Sequence, residues 1–414
     1  MKSPEIRPLA RTAVGTVAVA AMLSPLNTSM FPVALPDLQR EFSTSAGAST
    51  WLLTVFALVS AVGHPLAGYL ADRLGPRRVL VAGLVVTGLS ALIAAGAATF
   101  SLLLALRTAQ ALGTATAFPA GIALLQILGS RNRSDRQLPP AWLGAVAMVS
   151  NLGAALGPML GAALLVTAGW RALFLANLPI VIAATLLLLR QFPADRADMR
   201  RDAGRAKRSP IVLQRQLFSA STRFALVCTV FFAAFFGLPL WLLQSSRHGA
   251  IETGAVMAPM VIASALITPM AARTVSRSGA AAASLVGAGG LCLGTGLLIT
   301  VNEQTSVVVL IAAMAALGTA LAFNNLGLQA QLTAEVSPAQ LGTAAGLFQA
   351  ARFVGAALAT GLLGITVTND AATDDWRRLW VAGEFLSIAL LGWAAASLKR
   401  RRRSVPTMSR RNQR

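Results

Sequence analysis

The side chains able to do chemistry in this chain are few, and each falls in a telling place. Arg107, with Gln110 close behind it, and Arg352, three residues after Gln349, interrupt long stretches that carry no other charge. His64 and Glu384 are the further titratable groups that fall inside such stretches, and Asn27 sets an amide in another. A charged side chain enclosed by apolar sequence costs at least about 2.5 kcal/mol in hydrocarbon, so it belongs beside a polar cavity or on a proton path. The chemistry open to these residues is therefore the holding of a ligand and the passage of protons. His64 is the preferred carrier because an imidazole titrates near neutral pH without help, whereas Glu384 needs burial to do so. No G-x-x-x-x-G-K-[ST] loop, nucleophile and base arrangement or metal-ligand spacing accompanies them. Hydrolysis of ATP by the chain, covalent catalysis, a metal and any other cofactor are not expected, and the chain reads as no enzyme.

The elements that must position these groups follow from composition. Of 414 residues 55% are hydrophobic and 12% charged, about half the charge of a soluble domain. The uncharged stretches are long enough for the ~20 residues of a membrane-spanning helix, and they are apolar on every face, unlike barrel strands. Twelve spans are expected, near 12–35, 50–71, 79–98, 102–128, 140–166, 171–190, 222–243, 252–272, 279–301, 305–328, 340–366 and 379–398. The first is longer than a signal-peptide core and is expected to stay as a helix. The formal charge of +20 is distributed one-sidedly: 28 of the 35 Lys and Arg fall on the side of the chain ends. That asymmetry places both termini in the cytoplasm. It also assigns the basic clusters to anionic lipid headgroups rather than to nucleic acid. Cys228 and Cys292 both fall in spans, so no disulfide is expected.

The chain divides in two. Residues 193–217 form a polar, mixed-charge linker between a six-helix bundle over 1–192 and another over 218–398, with a basic tail over 399–414. Pro65, Gly68, Asp72, Arg73 and Gly75 recur, 204 residues on, as Pro269, Ala272, Ser276, Arg277 and Gly279. Gly144 and Gly153 recur, 202 residues on, as Gly346 and Gly355, each second glycine opening a Gly-Ala-Ala-Leu run. Duplicated halves build transporters whose site lies between the repeats near the bilayer midplane.

Five motifs carry a family resemblance. Gly68-Tyr-Leu-Ala-Asp72-Arg73-Leu-Gly75-Pro-Arg77-Arg78 is similar to the G-x-L-a-D-r-x-G-r-r loop of the major facilitator superfamily. Physically, Gly68 permits close helix approach, Gly75 a tight turn, and Asp72 can cap the positive end of a neighbouring helix. Gly144, Gly153, Gly157, Pro158 and Gly161 resemble the antiporter motif of drug exporters, with Ala162 in place of its last glycine. These small residues make a smooth packing face, and Pro158 removes a backbone donor. Gly169-Trp170-Arg171 through Phe174, Asn177 and Pro179 resembles a segment of the drug:proton antiporter-2 branch. That branch usually has fourteen spans rather than twelve. Arg107 and Gln110 fit the family's R-x-x-Q-G pattern, with Ala111 for glycine, and the resemblance associates the arginine with proton transfer. In the first span Asn27 stands where the family has aspartate, and an amide cannot exchange a proton near neutral pH.

The resemblance implies an all-α polytopic membrane protein with pseudo-twofold symmetry, working as a monomer in a bacterial plasma membrane. It implies export of a small amphiphilic drug, antibiotic or secondary metabolite, with protons as coupling ion and lipids as surroundings. Aromatic and amide residues suit the cavity lining, with Arg352 beside them: Asn27, Trp51, Phe56, Gln110, Phe231, Phe232, Phe235, Phe236, Trp241, Gln244, Phe323, Asn324, Asn325 and Gln349. A proton-independent exporter or facilitator is the alternative, and a transport-inactive scaffold or sensor a more remote one. The topology has a direct check: single cysteines placed near Arg205 and near Asp374 should label from opposite sides of the membrane. Labelling of both from outside intact cells would overturn the twelve-span arrangement.

Overall fold

The structure, a computed structural model, describes residues 6–130, 139–192, 215–244, 250–302, 304–336, 340–366 and 373–404. Most of the expected linker and the last ten residues of the tail lie outside the described residues, as does the side chain of Gln244. Among the described residues the regular structure is helical throughout. In a bilayer each backbone N–H and C=O must find its partner within the segment, and these uninterrupted apolar runs leave the helix as the solution.

The first span, Ile6–Met30, continues through a tight turn, Phe31–Ala34, into Leu35–Phe42. The second is Ala46–Leu74, the third Pro76–Ala95, and the fourth is made of Phe100–Ala115 and Ala117–Ser130. The fifth is Pro140–Ala168, and the sixth joins Trp170–Leu175 to Asn177–Gln191. The seventh to twelfth are Arg215–Gln244, Ala250–Ser278, Ala280–Ile299, Val307–Glu335, Leu341–Thr366 and Thr373–Ser404. Eleven are straight enough to count as single spans, and the fifth, bent by 40° between Ala141–Ala154 and Leu156–Ala168, makes the twelfth. Pro158 explains the bend, since its ring crowds the carbonyl four residues back, at Ala154.

Local chemistry fixes the helix ends. Ser45, Thr99 and Ser306 each accept a first-turn N–H through the side-chain oxygen. Gly75 (φ 96°) joins the second span to the third, and its repeat counterpart Gly279 (φ 87°) joins the eighth to the ninth. Both hold a backbone conformation that side chains disfavour, which is why glycine recurs there.

The repeat is visible in packing. Gly153 lies against Met22, Gly157 against Ser29 and Met30, and Gly161 against Met30 and Val33, so the fifth span rests on the first. A Cβ on Gly157 would come within 2.9 Å of Ser29 Cβ, and one on Gly161 within 2.6 Å of the Met30 carbonyl oxygen. In the second repeat Gly355 rests likewise on the seventh span, where a Cβ would meet Cys228 Cβ at 2.6 Å and Thr229 N at 3.0 Å. Gly144 faces Ala272 of the eighth span, and Gly346 faces His64 and Pro65 of the second. Each repeated glycine pair thus puts one member on its own half and the other on the opposite half.

Four apolar clusters form the interior. One draws only on residues 220–390, and two draw only on residues of the first six spans. The fourth joins the halves, gathering Val17, Ile122, Leu143, Ala272, Phe323 and Leu341 among others. Its members lie toward the face that carries Arg73, Arg77, Arg78, Arg273 and Arg277, called here the basic face. The cluster nearest the opposite face, with Phe31, Leu38, Leu52, Trp170 and Phe174, belongs to the first half alone.

Overpacking a close helix contact costs about 1–3 kcal/mol. Gly157→Val should therefore lower the thermal midpoint of the purified protein by several degrees, while Pro158→Ala, which fills no space, should leave it nearly unchanged. Scanning fluorimetry of both at equal expression checks this, and an unchanged midpoint for Gly157→Val would refute the close contact with the first span.

Candidate functional site: a latched seam and an embedded arginine

At the basic face the second and eleventh spans touch backbone to backbone. No side chain could be carried at Gly68, Gly342 or Gly346 without striking the opposing main chain. That approach brings the end of the second span to the start of the eleventh. There the carboxylate of Asp72 meets the orphan donors of a helix N-terminus. The N–H of Gly342 donates to Asp72 Oδ1 at 2.9 Å, and Thr343 donates its N–H to Oδ2 at 2.8 Å and its hydroxyl at 2.5 Å. A carboxylate at this position also meets the positive end of the helix dipole. Three charge-assisted bonds thus latch one half of the chain to the other. Of the neighbouring loop residues, Arg73 lies over the Tyr69 ring at 4.4 Å, Arg78 is exposed and Arg77 is half-buried.

Arg107 sits elsewhere, inside the first half and closed off from solvent. Its guanidinium lies 3.6 Å from the centre of the Phe31 ring and 4.2 Å from that of Phe56. It donates to Gln110 Oε1 at 2.6 Å, to the Asn27 main-chain oxygen at 2.8 Å and to Asn27 Oδ1 at 3.3 Å. No described carboxylate pairs with it. Desolvated ring faces are worth about 2 kcal/mol each, the scale of the ~2.5–3.5 kcal/mol cost of placing arginine in a span, so the cation is held without a counter-charge. Asn27 also donates, to the Leu23 carbonyl at 2.8 Å and to Asn177 Oδ1 at 2.5 Å. Asn177 commits its own amide N–H groups to Leu173 and Phe174, which leaves its oxygen facing Asn27. The amide at position 27 accepts from Arg107 and donates to Asn177 together, whereas an ionised aspartate could do only the first.

A third group of residues meets at mid-depth where the halves join. His64 is buried, with Nδ1 2.6 Å from the Ser60 carbonyl and its ring 5.3 Å from that of Phe353. Arg352, next in the chain to Phe353, lies within electrostatic range of His64 and Cys228 and 5.9 Å from the Phe232 ring. Phe232 stacks on Phe236 one turn along, and Phe231 stacks on Phe235. On the other seam Asn151 donates to Ser264 at 3.0 Å.

The remaining candidates scatter. Trp51 is half exposed and Gln349 half-buried, while Trp241 packs into the apolar core of its own half. Asn324 donates to the Ala320 carbonyl and presses on Gly287, inside the second half rather than at the seam. Asn325 is buried with its side-chain oxygen unpartnered. Glu384 belongs to the twelfth span, and its carboxylate accepts from Thr295 of the ninth, whose hydroxyl also lies 3.3 Å from that of Ser387. The structure therefore separates Glu384 from the seam and brings His64 and Arg352 to it. Of the residues that complete these arrangements, Phe56 is among the aromatic lining candidates and meets Arg107 instead, while Phe31, Thr343 and Ser264 carry no signal of their own in the sequence, because long-range contact alone selects them. Among the described residues no group of three His, Cys, Asp or Glu could hold a metal.

Comparison with known proteins gives a consistent picture. The family model described as Major Facilitator Superfamily matches residues 17–360. An uncharacterized MFS-type transporter of Bacillus subtilis, YwoD, is 31% identical over 409 residues, covering 84% of this chain and 88% of that protein. The multidrug resistance protein Stp of Mycobacterium tuberculosis is 26% identical, with 82% and 72% covered. The methylenomycin A resistance protein of Bacillus subtilis is 29% identical over 42% of this chain, and that match spans 36% of its own length. Among solved structures, the human organic anion transporter MFSD10 superposes with a TM-score of 0.71 at 18% identity, over 91% of this chain and 99% of that one, a likeness of fold.

Removing Asn27 should expose the dependence of Arg107 on it. Asn27→Leu keeps the main-chain acceptor of Arg107 but leaves one guanidinium N–H and Asn177 Oδ1 without their partners, at about 1–3 kcal/mol for each orphaned group. The expected result is a loss of thermal stability larger than that of Gln110→Leu, measured on purified protein, and equal stability to wild type would refute the network.

Proposed function

The chain belongs to the Major Facilitator Superfamily, and on that premise we propose that it is a secondary exporter of amphiphilic drugs, antibiotics or secondary metabolites, driven by protons through alternating access. The observation that carries the reading is the distribution of the interior: the apolar cluster shared by the two halves lies toward the basic face alone. A transporter closed toward the cytoplasm and separable on the other side has this form, provided that the basic face is the cytoplasmic one. Relatives named for multidrug and methylenomycin A resistance support the cargo class.

In this reading residues 1–192 rock against 218–398. Asp72 and the facing glycines close the cytoplasmic side and part when cargo is to be loaded. The aromatic rings of the seventh span and Arg352 receive an amphiphile at mid-depth, where Arg352 supplies charge and Phe232 and Phe236 supply planar apolar faces. Arg107 keeps the first half electropositive without leaving its ring sandwich. His64 is the proposed proton carrier, because it lies on the seam that changes between states, and Glu384, tied to the ninth span, contributes less. The protein works as a monomer in the bacterial inner membrane with both termini cytoplasmic. A proton-independent facilitator is the second reading, and Asn27 favours it, since that amide occupies the place of the family's titratable group.

Deletion of the gene should lower the inhibitory concentration of several amphiphilic antibiotics by fourfold or more. Everted vesicles should accumulate those compounds under an inward-acid gradient, and nigericin should abolish the accumulation. Arg107→Ala should reduce flux below one-tenth, with Arg107→Lys retaining more because charge survives without the planar fork. His64→Ala should abolish gradient-driven uptake while sparing exchange. Gradient-driven uptake that survives in the His64→Ala/Glu384→Gln protein rules out both carriers, and flux indifferent to the gradient in wild type establishes the facilitator.

A further inference from the structure

The two seams of the basic face are related by the repeat, yet among the described residues only one is latched by a carboxylate. At the first, the second span brings Tyr69, Asp72 and Arg73 to the start of the eleventh; the carboxylate caps that helix and Arg73 rests on Tyr69. At the second, the same positions of the eighth span are Arg273, Ser276 and Arg277, facing the start of the fifth. Across these three positions the formal charge changes from zero to +2. The Ser276 hydroxyl turns back to its own helix, donating to the Ala272 carbonyl at 2.9 Å. The fifth span begins with no side-chain cap and no acidic residue in its first turn. Neither Arg273 nor Arg277 forms an ion pair with a described carboxylate.

The place that the carboxylate latch fills at one seam is filled by no described carboxylate at the other. A cleft of about 330 Å³ lies there between the fifth and eighth spans, floored by Gly144, Ala145, Met148 and Ala272 and rimmed by Arg273 and Arg277. Its lower part is apolar, its mouth is cationic, and it opens at the ends of membrane spans, the level of the headgroups. This amphipathic sequence of surfaces matches one class of ligand in its order and its charge. We propose that the cleft binds an anionic phospholipid, its phosphate between Arg273 and Arg277 and an acyl chain along the floor. The lipid then does for the fifth and eighth spans what Asp72 does for the second and eleventh: it supplies the negative charge that holds the seam shut. Anionic lipid is abundant where a basic face meets a bilayer, and a guanidinium pairs with phosphate in a planar, bidentate fashion. The site stands independently of the export reading, since it is defined by the seam and not by cargo.

The test uses the full-length protein in detergent, titrated with phosphatidylglycerol or with phosphatidylcholine of the same acyl chains. Native mass spectrometry reads bound lipid, and scanning fluorimetry reads the thermal midpoint. Wild type should retain one phosphatidylglycerol at least fivefold more tightly than phosphatidylcholine, with a rise in midpoint. The Arg273→Gln/Arg277→Gln protein should lose that preference, whereas Arg401→Gln/Arg402→Gln, which removes as much charge from the twelfth helix end, should keep it. Ala145→Phe, which fills the floor without altering charge, should also lose it, so the outcome does not hang on one variant folding. Equal retention of the two lipids by wild type, or an undiminished preference in both cleft variants, overturns the proposal. Displacement of the lipid by millimolar glycerol phosphate would show a site for free phosphate groups and would overturn the lipid assignment.

Discussion

A helix N-terminus presents N–H groups that nothing within its own helix can satisfy, and in this protein one of them is satisfied from the other half of the chain. Asp72 takes up the donors of Gly342 and Thr343, and it can reach them only because Gly68, Gly342 and Gly346 let two backbones meet. Small residues and a single carboxylate thus act together: the first set the distance and the second uses it. Such a contact is strong while the geometry holds and vanishes when the helices shift by a few ångströms, since hydrogen bonds weaken steeply with distance and angle. A seam built from apolar interdigitation alone would be harder to release. The chain combines the two by placing its shared apolar cluster beside the latch, on the same face.

Arg107 shows a different way of holding charge in a dry interior. Its environment consists of ring faces, carbonyl and amide oxygens, with no carboxylate among the described partners. The cation is spread over weakly polar acceptors instead of being paired with one counter-charge. The pair Asn27 and Asn177 completes it, each amide oriented by the bonds of the other. The site is consequently rigid, and it differs in kind from the seam, where His64 and Arg352 lie between elements of opposite halves.

Much of this was legible in the sequence. The spans follow from apolar runs that no other structure could satisfy in a membrane, and the spacing of Gly144, Gly153 and Gly157 marked a packing face because glycine has no other use at such a period. The repeat offsets paired the right positions: Gly144 with Gly346 across the halves, Gly153 with Gly355 within them. The candidate lining was less legible. Trp241 and Asn324 are the residue types that line cavities, but the same types fill cores, and the rotation of each helix about its axis decides between the two. Phe56 is legible only as a lining aromatic and Phe31 not at all, since nothing in their local sequence records that a guanidinium lies between them. In the sequence Asn27 shows only as a departure from the family's aspartate; its role as a donor to Asn177 depends on a contact 150 residues distant.

The bend in the fifth span has no partner in the repeat, where the residue matching Pro158 is Thr360. The eleventh span is therefore unbroken, while the fifth changes direction between Gly153 and Gly157, both of which rest on the first span. The fifth span thus follows the first on both sides of its bend and meets the eighth through Gly144 on the basic side. Two halves related by repetition thereby differ in shape at matching positions: one seam helix runs straight and the other is angled.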